Sequence, residues 1–398
     1  MARNLEPDMP LRYLTAGESH GPALTIVVEG LPAGVPAPRE IIDRDLIRRM
    51  GGYGRGGRMK IEKDRVEFLG GIRFGKTLGS PVSMLIRNLD FENWTEVMSP
   101  EGERPAAERA RALTRPRPGH ADLAGSLKYA THDARDILER ASARETAART
   151  AAGSLARCFL REVGIEVTSR TVSVGDAVDA EFDEGDFGAL VALPDDAPMR
   201  CLEESKVQAM IDAVEVARKK KDSVGGVFEV LARGVPVGLG SHVHWDRKID
   251  GLLAGAVMSI QAVKAVSVGE GIEGAARLGS EQHDPILHSA GEGFHRPSNR
   301  AGGVEGGVTN GEIVRVAGYL KPLATLPQPL PSVDLVDKTA FAAQRERTDT
   351  VPIVAAGVVG EAMVCLVLAR EFLRKFGGDS LDETRANLEN YLQSLSRY

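Results

Sequence analysis

The stretch Val351-Pro-Ile-Val-Ala-Ala-Gly-Val-Val-Gly-Glu-Ala-Met-Val-Cys-Leu-Val-Leu-Ala369 (VPIVAAGVVGEAMVCLVLA) decides what kind of fold this chain can have. It is long and apolar enough to suggest a membrane span. Glu361 stands at its middle, a proline lies at its start, and it runs directly into the charged sequence REFLRKFGG. A lone carboxylate at mid-bilayer depth is costly. A helix that is apolar all round suits the centre of a large soluble core instead. We read the stretch as a buried helix, so the rest of the chain must wrap it on every side.

The rest is ample for that. The chain has 398 residues, 42% hydrophobic and 27% charged, in the range of an ordinary soluble globular protein. Aromatic residues are only 5%, so the core is expected to be built from Val, Leu, Ile and Ala, with many turns made by the 44 glycines. A net charge of −6 gives no global basic field for nucleic acid, and any anion site must be a local cluster of cations. The N-terminal MARNLEPDMP carries acids and prolines without an apolar core and is not expected to act as a signal peptide. Cys158, Cys201 and Cys365 lie far apart without metal or redox spacing, which fits a reduced, cytoplasmic setting.

Outward from the apolar helix, hydrophobic patterning predicts strands at residues 11–15, 24–29, 65–68, 82–87 and 226–232. Helices are predicted at 38–50, 136–162, 203–220, 248–263 and 380–395. The 136–162 helix is read as unbroken, because Ile137, Leu138, Ala141, Ala148, Ala152, Leu155 and Phe159 recur at spacings of three and four. Two long polar or glycine-rich loops, near 88–119 and 279–311, exceed what connection requires. The acidic stretch 180–198 reads as a surface insertion. One echo stands out: Gly30-Leu-Pro-Ala-Gly-Val35 and Gly234-Val-Pro-Val-Gly-Leu239 share one form, each after a β-branched strand and before a predicted helix. It suggests two similar α/β halves around one core; the plain alternative is common turn chemistry.

The candidate chemistry is cationic and imidazole-rich. Gly17-Glu-Ser-His-Gly21 fits G-x-S-x-G, the nucleophile elbow of hydrolases, but only about one strand can precede Ser19 and no triad partners stand out. Ser19 is better read as a hydrogen-bonding residue on a tight turn that exposes His20. Gly52, Gly54 and Gly57 spell G-x-G-x-x-G, yet they follow a helix instead of opening one, so the dinucleotide reading is weak. What that loop offers is Arg48, Arg49, Arg55 and Arg58 around glycine backbone, a natural oxyanion ligand set or else a solvated basic loop. His120 is presented stiffly by Arg115-Pro-Arg-Pro-Gly-His120. Arg140 and Arg144 lie one turn apart, either facing an anion or lacing an exposed face with Glu139 and Glu145. His242 and His244 could share one side of a strand, but nothing completes a metal site, and no metal is expected.

Taken together these pieces resemble chorismate synthase over nearly the whole chain. The matching motifs, in order, are GESHG, RRMGGYGRGGRM (48–59), RPGHAD (117–122), RASARETAAR (140–149), NRAGGVEGGVTNGE (299–312), KPLAT (321–325) and RTDTVPIVAAGVV (347–359). The segment SIQAVKAVSVGEGIEGA (259–275) departs from the family's commoner IPAVKGVEIGDGF form. The resemblance implies an α/β sandwich, central helices between two antiparallel sheets in pseudo-repeated halves, as a single domain over 1–398 assembled into a homotetramer. It implies a lyase that converts 5-enolpyruvylshikimate 3-phosphate to chorismate and phosphate by anti-1,4-elimination with reduced FMN, the last step of the shikimate pathway.

By the same resemblance His20, His120, Asp349, Ser19 and Ser142 are the catalytic residues. Arg49, Arg55, Arg58, Arg144 and Arg347 bind substrate. Arg140, Ala141, Ser142, Gln261, Ala262, Gly306, Lys321, Pro322, Leu323, Ala324, Thr325 and Arg347 contact FMN, and Arg49 and Arg55 are also positions of NADP contact. The flavin is reduced by NADPH or an external flavin reductase. No nucleic acid or membrane partner is expected. The alternative is a phospho-ligand-binding relic of the same fold that has lost its chemistry.

Overall fold

The computed structural model describes residues 10–56, 64–103, 106, 111–179, 181–290, 293–346 and 348–398. Its first half opens with β1 (Arg12–Ala16) and β2 (Ala23–Glu29), then α1 (Arg39–Met50) and β3 (Val66–Gly70). A small hairpin, β4 (Ile72–Arg73) and β5 (Lys76–Thr77), precedes β6 (Val82–Arg87). After the 88–119 loop come α2 (Asp122–Tyr129), α3 (Arg135–Ala141) and α4 (Thr146–Glu162). The second half has β7 (Glu166–Val174), β8 (Ala177–Val178), α5 (Phe187–Ala192), α6 (Glu204–Lys219), β9 (Gly226–Arg233), α7 (Ile249–Met258) and β10 (Val263–Val268). Two single turns, α8 (Gly271–Gly274) and α9 (Gly279–Gln282), and the hairpins β11 (Leu287–Ser289) with β12 (Gly293–His295) and β13 (Val304–Glu305) with β14 (Val308–Thr309), lead to β15 (Val314–Leu320). A last hairpin, β16 (Pro331–Val333) with β17 (Ala340–Ala342), precedes α10 (Ile353–Phe376) and α11 (Leu381–Leu395).

Two antiparallel sheets, ordered β1-β2-β6-β3 and β10-β15-β9-β7-β8, sandwich a helical layer in which α4 and α10 are the central pair. Matching β1, β2, α1, β3, β6 and α4 to β7, β9, α7, β10, β15 and α10 gives the same order and the same pairing in both halves. The G-x-P-x-G echo is therefore a structural repeat. In the first copy Thr77 Oγ1 donates to Pro32 O (2.6 Å) and accepts from Val35 N (2.9 Å). In the second, Thr309 Oγ1 donates to Pro236 O (2.7 Å) and accepts from Leu239 N (2.8 Å). The flanking backbone bonds match as well, Gly34 N to Thr77 O and Thr77 N to Val35 O against Gly238 N to Thr309 O and Thr309 N to Leu239 O.

The apolar stretch that opened the sequence is the buried helix α10, and Glu361 is wholly enclosed within it. Arg48 bonds both its oxygens (2.7 and 2.8 Å), and Arg157 (2.6 Å) and Ser169 (2.6 Å) complete the set. Burial works to raise the Glu361 pKa, but Arg48 and Arg157 outweigh it and hold the carboxyl below its ordinary value. This ionic knot joins α1, α4, β7 and α10. Where α4 meets α10 the backbones nearly touch: a Cβ on Gly153 would lie 2.4 Å from Ala362 Cα.

Three expectations change. The predicted 136–162 helix is broken, because Ser142 is extended (φ −63°, ψ 144°) between α3 and a 3₁₀ turn at Ala143–Glu145. Its hydroxyl accepts from Arg144 N (3.3 Å), the local competition by which serine interrupts a helix. The predicted 248–263 helix stops at Met258, and Val263 begins a strand. The 180–198 stretch is more than surface: Phe187 and Leu190 on α5 are buried against Leu231 and Ile313, covering the outer side of the second sheet.

Candidate functional site

A cavity of about 500 Å³ lies between the two repeats, within the size range of small-molecule sites. The first repeat lines it with Arg49, Arg55, His120, Ala141, Ser142 and Arg144, and the second with Gln261, Ala262, Lys321, Leu323–Thr325 and Asp349. Arg49 sits in the last turn of α1, and Arg55 follows on the glycine loop. That loop docks against the start of α10, which explains two of its glycines: a Cβ at Gly52 would lie 2.6 Å from Val354, and one at Gly54 2.9 Å from Val351. The helix break turns Ser142 into the cavity. Among the described lining residues there is no Phe, Tyr or Trp, so the walls are aliphatic, backbone and cationic.

His20 and Ser19 reach this site from behind the wall. GESHG is the turn between antiparallel β1 and β2, not a strand-to-helix elbow, which removes the hydrolase reading. Ser19 is buried, with its hydroxyl 3.1 Å from that of Ser142. His20 is not among the lining residues. Its Nδ1 meets Glu139 Oε1 at 2.9 Å and its ring stacks on Trp94 with centroids 3.9 Å apart. His120 does line the cavity, and its Nδ1 lies 2.5 Å from Asp122 Oδ1. His120 thus lines the cavity, whereas His20 lies outside its described lining, next to Ser19, whose hydroxyl meets that of Ser142.

Internal carboxylates hold the arginines in place. Asp64 accepts from Arg49 (2.9 Å) and from Arg144 (2.6 Å). Burial would raise the Asp64 pKa, yet the two guanidiniums outweigh it and keep it below the ordinary value. Asp349 pairs with Arg55 (2.8 Å) and accepts from Gly56 N–H (2.6 Å). The site is therefore cationic by charge count, with its arginines paired to its own carboxylates.

The facing wall fits a flat heteroaromatic cofactor. Gln261 Oε1 is buried there without a hydrogen-bond partner, an acceptor awaiting an N–H. Ala262 adopts φ +71°, a conformation non-glycine residues rarely hold, and Lys321 N donates to its carbonyl (3.0 Å). Lys321 Nζ reaches Gly119 O (2.6 Å), tying this wall to the turn that presents His120. A flat ring would lie against Gln261, Ala262, Lys321 and Leu323–Thr325.

Several predicted residues lie elsewhere. Gly306 is in the β13–β14 turn, which contacts the start of α7 through Ile249 N to Gly307 O, whereas Gln261 follows the far end of that helix. Ten residues of helix put the two about 15 Å apart, so Gly306 does not line the cavity of this chain. Arg140 points away, donating to Thr15 O and Gly17 O, and Pro322 is also absent from the lining. Arg58 and Arg347 lie outside the described residues. His242 and His244 occupy a bend, not a strand, and among the described residues no cluster could hold a metal. Sequence reasoning missed Asp64, Arg117, Trp94 and Glu139. Glu139 had been one option for an exposed ion-pair face; it is buried. Arg117 was within reach, because it begins the RPGHAD motif and bonds Asp122 and Thr325.

The comparisons with known proteins agree with one another. The family model described as Chorismate synthase matches residues 11–373. The chorismate synthase of Symbiobacterium thermophilum is 54% identical over 97% of this chain and all of its own length. That of Solibacter usitatus is 51% identical over 98% of this chain and all of its own. A solved crystal structure of chorismate synthase, 40% identical, superposes with a TM-score of 0.78 over 98% of this chain and 99% of its own. With sandwich, repeat and motif-bearing cavity all in place, the chain belongs to the chorismate synthase family.

Proposed function

We propose that the cavity between the repeats is the active site at which this chain converts 5-enolpyruvylshikimate 3-phosphate to chorismate and inorganic phosphate with reduced FMN. The observation that carries the proposal is the convergence of Arg49, Arg55, Arg144, His120, Ser142 and Asp349 on one cavity whose other wall suits a flavin. The reaction is difficult because the C6 proton is not acidic and the C3 phosphate leaves poorly until its charge is met. Reduced FMN, when bound, would supply an electron-rich ring that supports charge development on the substrate as the phosphate leaves and the C6 proton is lost.

The protein's part is binding, orientation and proton handling. Arg49, Arg55 and Arg144 meet the carboxylates and phosphate, exchanging their internal partners Asp64 and Asp349 for substrate oxygens, with Arg58 and Arg347 joining them. His20 delivers a proton to the departing phosphate. His120 holds a proton at the N1 and C2-carbonyl edge, and Asp349 serves the N5 edge. The Ser19–Ser142 hydroxyl pair, 3.1 Å apart, supplies a route for protons between the His20 side and the cavity. Lys321, Leu323, Ala324, Thr325, Gln261 and Ala262 hold the ring.

The reductant is NADPH engaged at Arg49 and Arg55, or an external flavin reductase. The working form is a cytoplasmic homotetramer. Leu14 and Val27, exposed cross-strand neighbours on the first sheet, support an apolar face that assembly would cover, and three buried free thiols suit a reducing compartment. The test is an anaerobic assay with dithionite-reduced FMN and the enolpyruvyl substrate. His20→Ala should keep flavin binding and lose at least about 10²-fold in turnover, the usual scale for a general acid. Normal turnover in that variant would remove His20 from the mechanism, and no chorismate from the wild type would remove the activity.

A further inference from the structure

Both imidazoles of the proposed active site are gripped in the same way by residues to which nothing above gives a part in the reaction. His20 Nδ1 faces Glu139 Oε1 at 2.9 Å, and the His20 backbone N–H donates to Glu139 Oε2 at 2.8 Å. Arg135 Nη1 donates to the same carboxylate at 3.1 Å. His120 Nδ1 faces Asp122 Oδ1 at 2.5 Å, while Arg117 donates to Asp122 through Nε (2.8 Å) and Nη2 (3.1 Å). Glu139, Asp122, Arg135 and Arg117 are all buried. The two arrangements are reached by different routes. Asp122 is two residues from its histidine, whereas Glu139 comes from α3, far along the chain from the β1–β2 turn.

The chemistry that follows is specific. Burial opposes ionisation of both carboxyls, but hydrogen bonds and charge from the histidine and arginine at each site outweigh it and hold both below their ordinary pKa. An ionised carboxylate can only accept. At these distances a ring nitrogen's lone pair cannot face it, so the proton must lie on Nδ1 in both rings. That leaves each Nε2, which on His120 has Arg117 Nη2 3.5 Å away, as the atom to carry or receive a proton at the reacting groups. Trp94, stacked on the His20 ring and itself under Arg111 (4.3 Å), blocks a flip that would exchange the ring atoms. At the second site Arg117 Nη2 also lies 3.1 Å from His120 Nδ1, and the shared acceptor Asp122 Oδ1 reconciles the two donors.

We propose that Glu139 and Asp122, each backed by its arginine, are positioning residues that fix the Nδ1–H tautomer of His20 and His120 and so aim Nε2 at the chemistry. This rests on the active-site reading above. The test uses full-length protein with [15N]histidine, in which Nδ1–H and Nε2–H imidazoles give distinct long-range 15N–1H patterns; His20→Ala and His120→Ala assign the two rings. Wild-type spectra should show Nδ1–H at both. Glu139→Gln and Asp122→Asn can offer an N–H to the ring in place of an acceptor and should admit the Nε2–H tautomer at the affected histidine alone. Each should lose about 10²-fold or more in kcat, as wrong-tautomer variants of carboxylate–histidine pairs do. Flavin affinity and substrate KM should stay within about threefold, since neither carboxylate is proposed to touch a ligand.

Neutral Nε2–H imidazole at either position in the wild type overturns the proposal. So does a folded, flavin-binding Glu139→Gln or Asp122→Asn with unchanged tautomer and full turnover. Should these variants fold poorly, Arg135→Lys and Arg117→Lys keep a cation beside the carboxylate; retained Nδ1–H supports the clamp, and Nε2–H in either overturns it. Full turnover in His20→Ala would instead defeat the role given to His20, while the spectra would still decide the tautomer.

Discussion

Asp64 lies between Arg49 and Arg144, within 3 Å of both, and its depressed pKa keeps it ionised between two arginines proposed to bind the substrate. Removing that charge should sharpen the site and weaken the fold. Asp64→Asn is expected to lower the dissociation constant for the enolpyruvyl substrate several-fold, readable by equilibrium titration. It should also cost about 3–5 kcal/mol of stability, because two buried guanidiniums lose their anion. Unchanged substrate affinity would mean that Asp64 is not displaced on binding. At this scale the sequence was informative where function concentrates cations and imidazoles into odd motifs: Arg49, Arg55, Arg144, His120 and Asp349 all reach the cavity. Asp64 and Glu139 were hidden because an isolated carboxylate looks the same in sequence whether it faces water or a buried arginine.

Thr77 and Thr309 show what an element-level repeat looks like when reduced to single hydrogen bonds. Each hydroxyl donates to the proline carbonyl of its loop and accepts the backbone N–H three residues further on. Thr77→Val and Thr309→Val should therefore cost similar amounts, about 1–3 kcal/mol each, since each leaves a buried N–H and a buried or half-buried carbonyl unpaired. Urea unfolding would read both, and a cost in only one copy would break the equivalence. The first sheet was legible because its strands alternate buried and exposed residues, as in β2 and β6. Much of the second was not. Strand β7 is buried on both faces under α5, α6 and α10, which erases the alternation, and β10 continues a run that reads as helix. The break at Ser142 was invisible to periodicity because α3 and α4 keep the apolar spacing across it.

Across the whole molecule, the ionic knot at Glu361 ties the helical layer to the second sheet and links stability to pH. Its folded pKa lies below the ordinary 4.5, so its contribution is complete above that value and is lost as the pH falls toward the folded pKa. Glu361→Gln should cost about 3–5 kcal/mol at neutral pH, by stranding Arg48 and Arg157. The gap between variant and wild type should narrow as the pH drops below 4.5. Stability curves measured at pH 7 and pH 4 would check both, and a gap that widened in acid would contradict the direction of the shift. The same carboxylate told a helix buried in protein from one buried in lipid, so the helical centre of the architecture was readable from one stretch.

The pseudo-symmetry has a last consequence. The arginines and imidazoles belong to one copy of the β-β-α-β-β-α unit, while the strip suited to the ring, and Asp349, belong to the other. A solitary unit would own half a binding surface and no enclosed chamber. The chamber proposed as the active site exists only at the seam where two copies close on each other, so the close packing of α4 on α10 at Gly153 and Ala362, which joins the copies, also holds its two walls together.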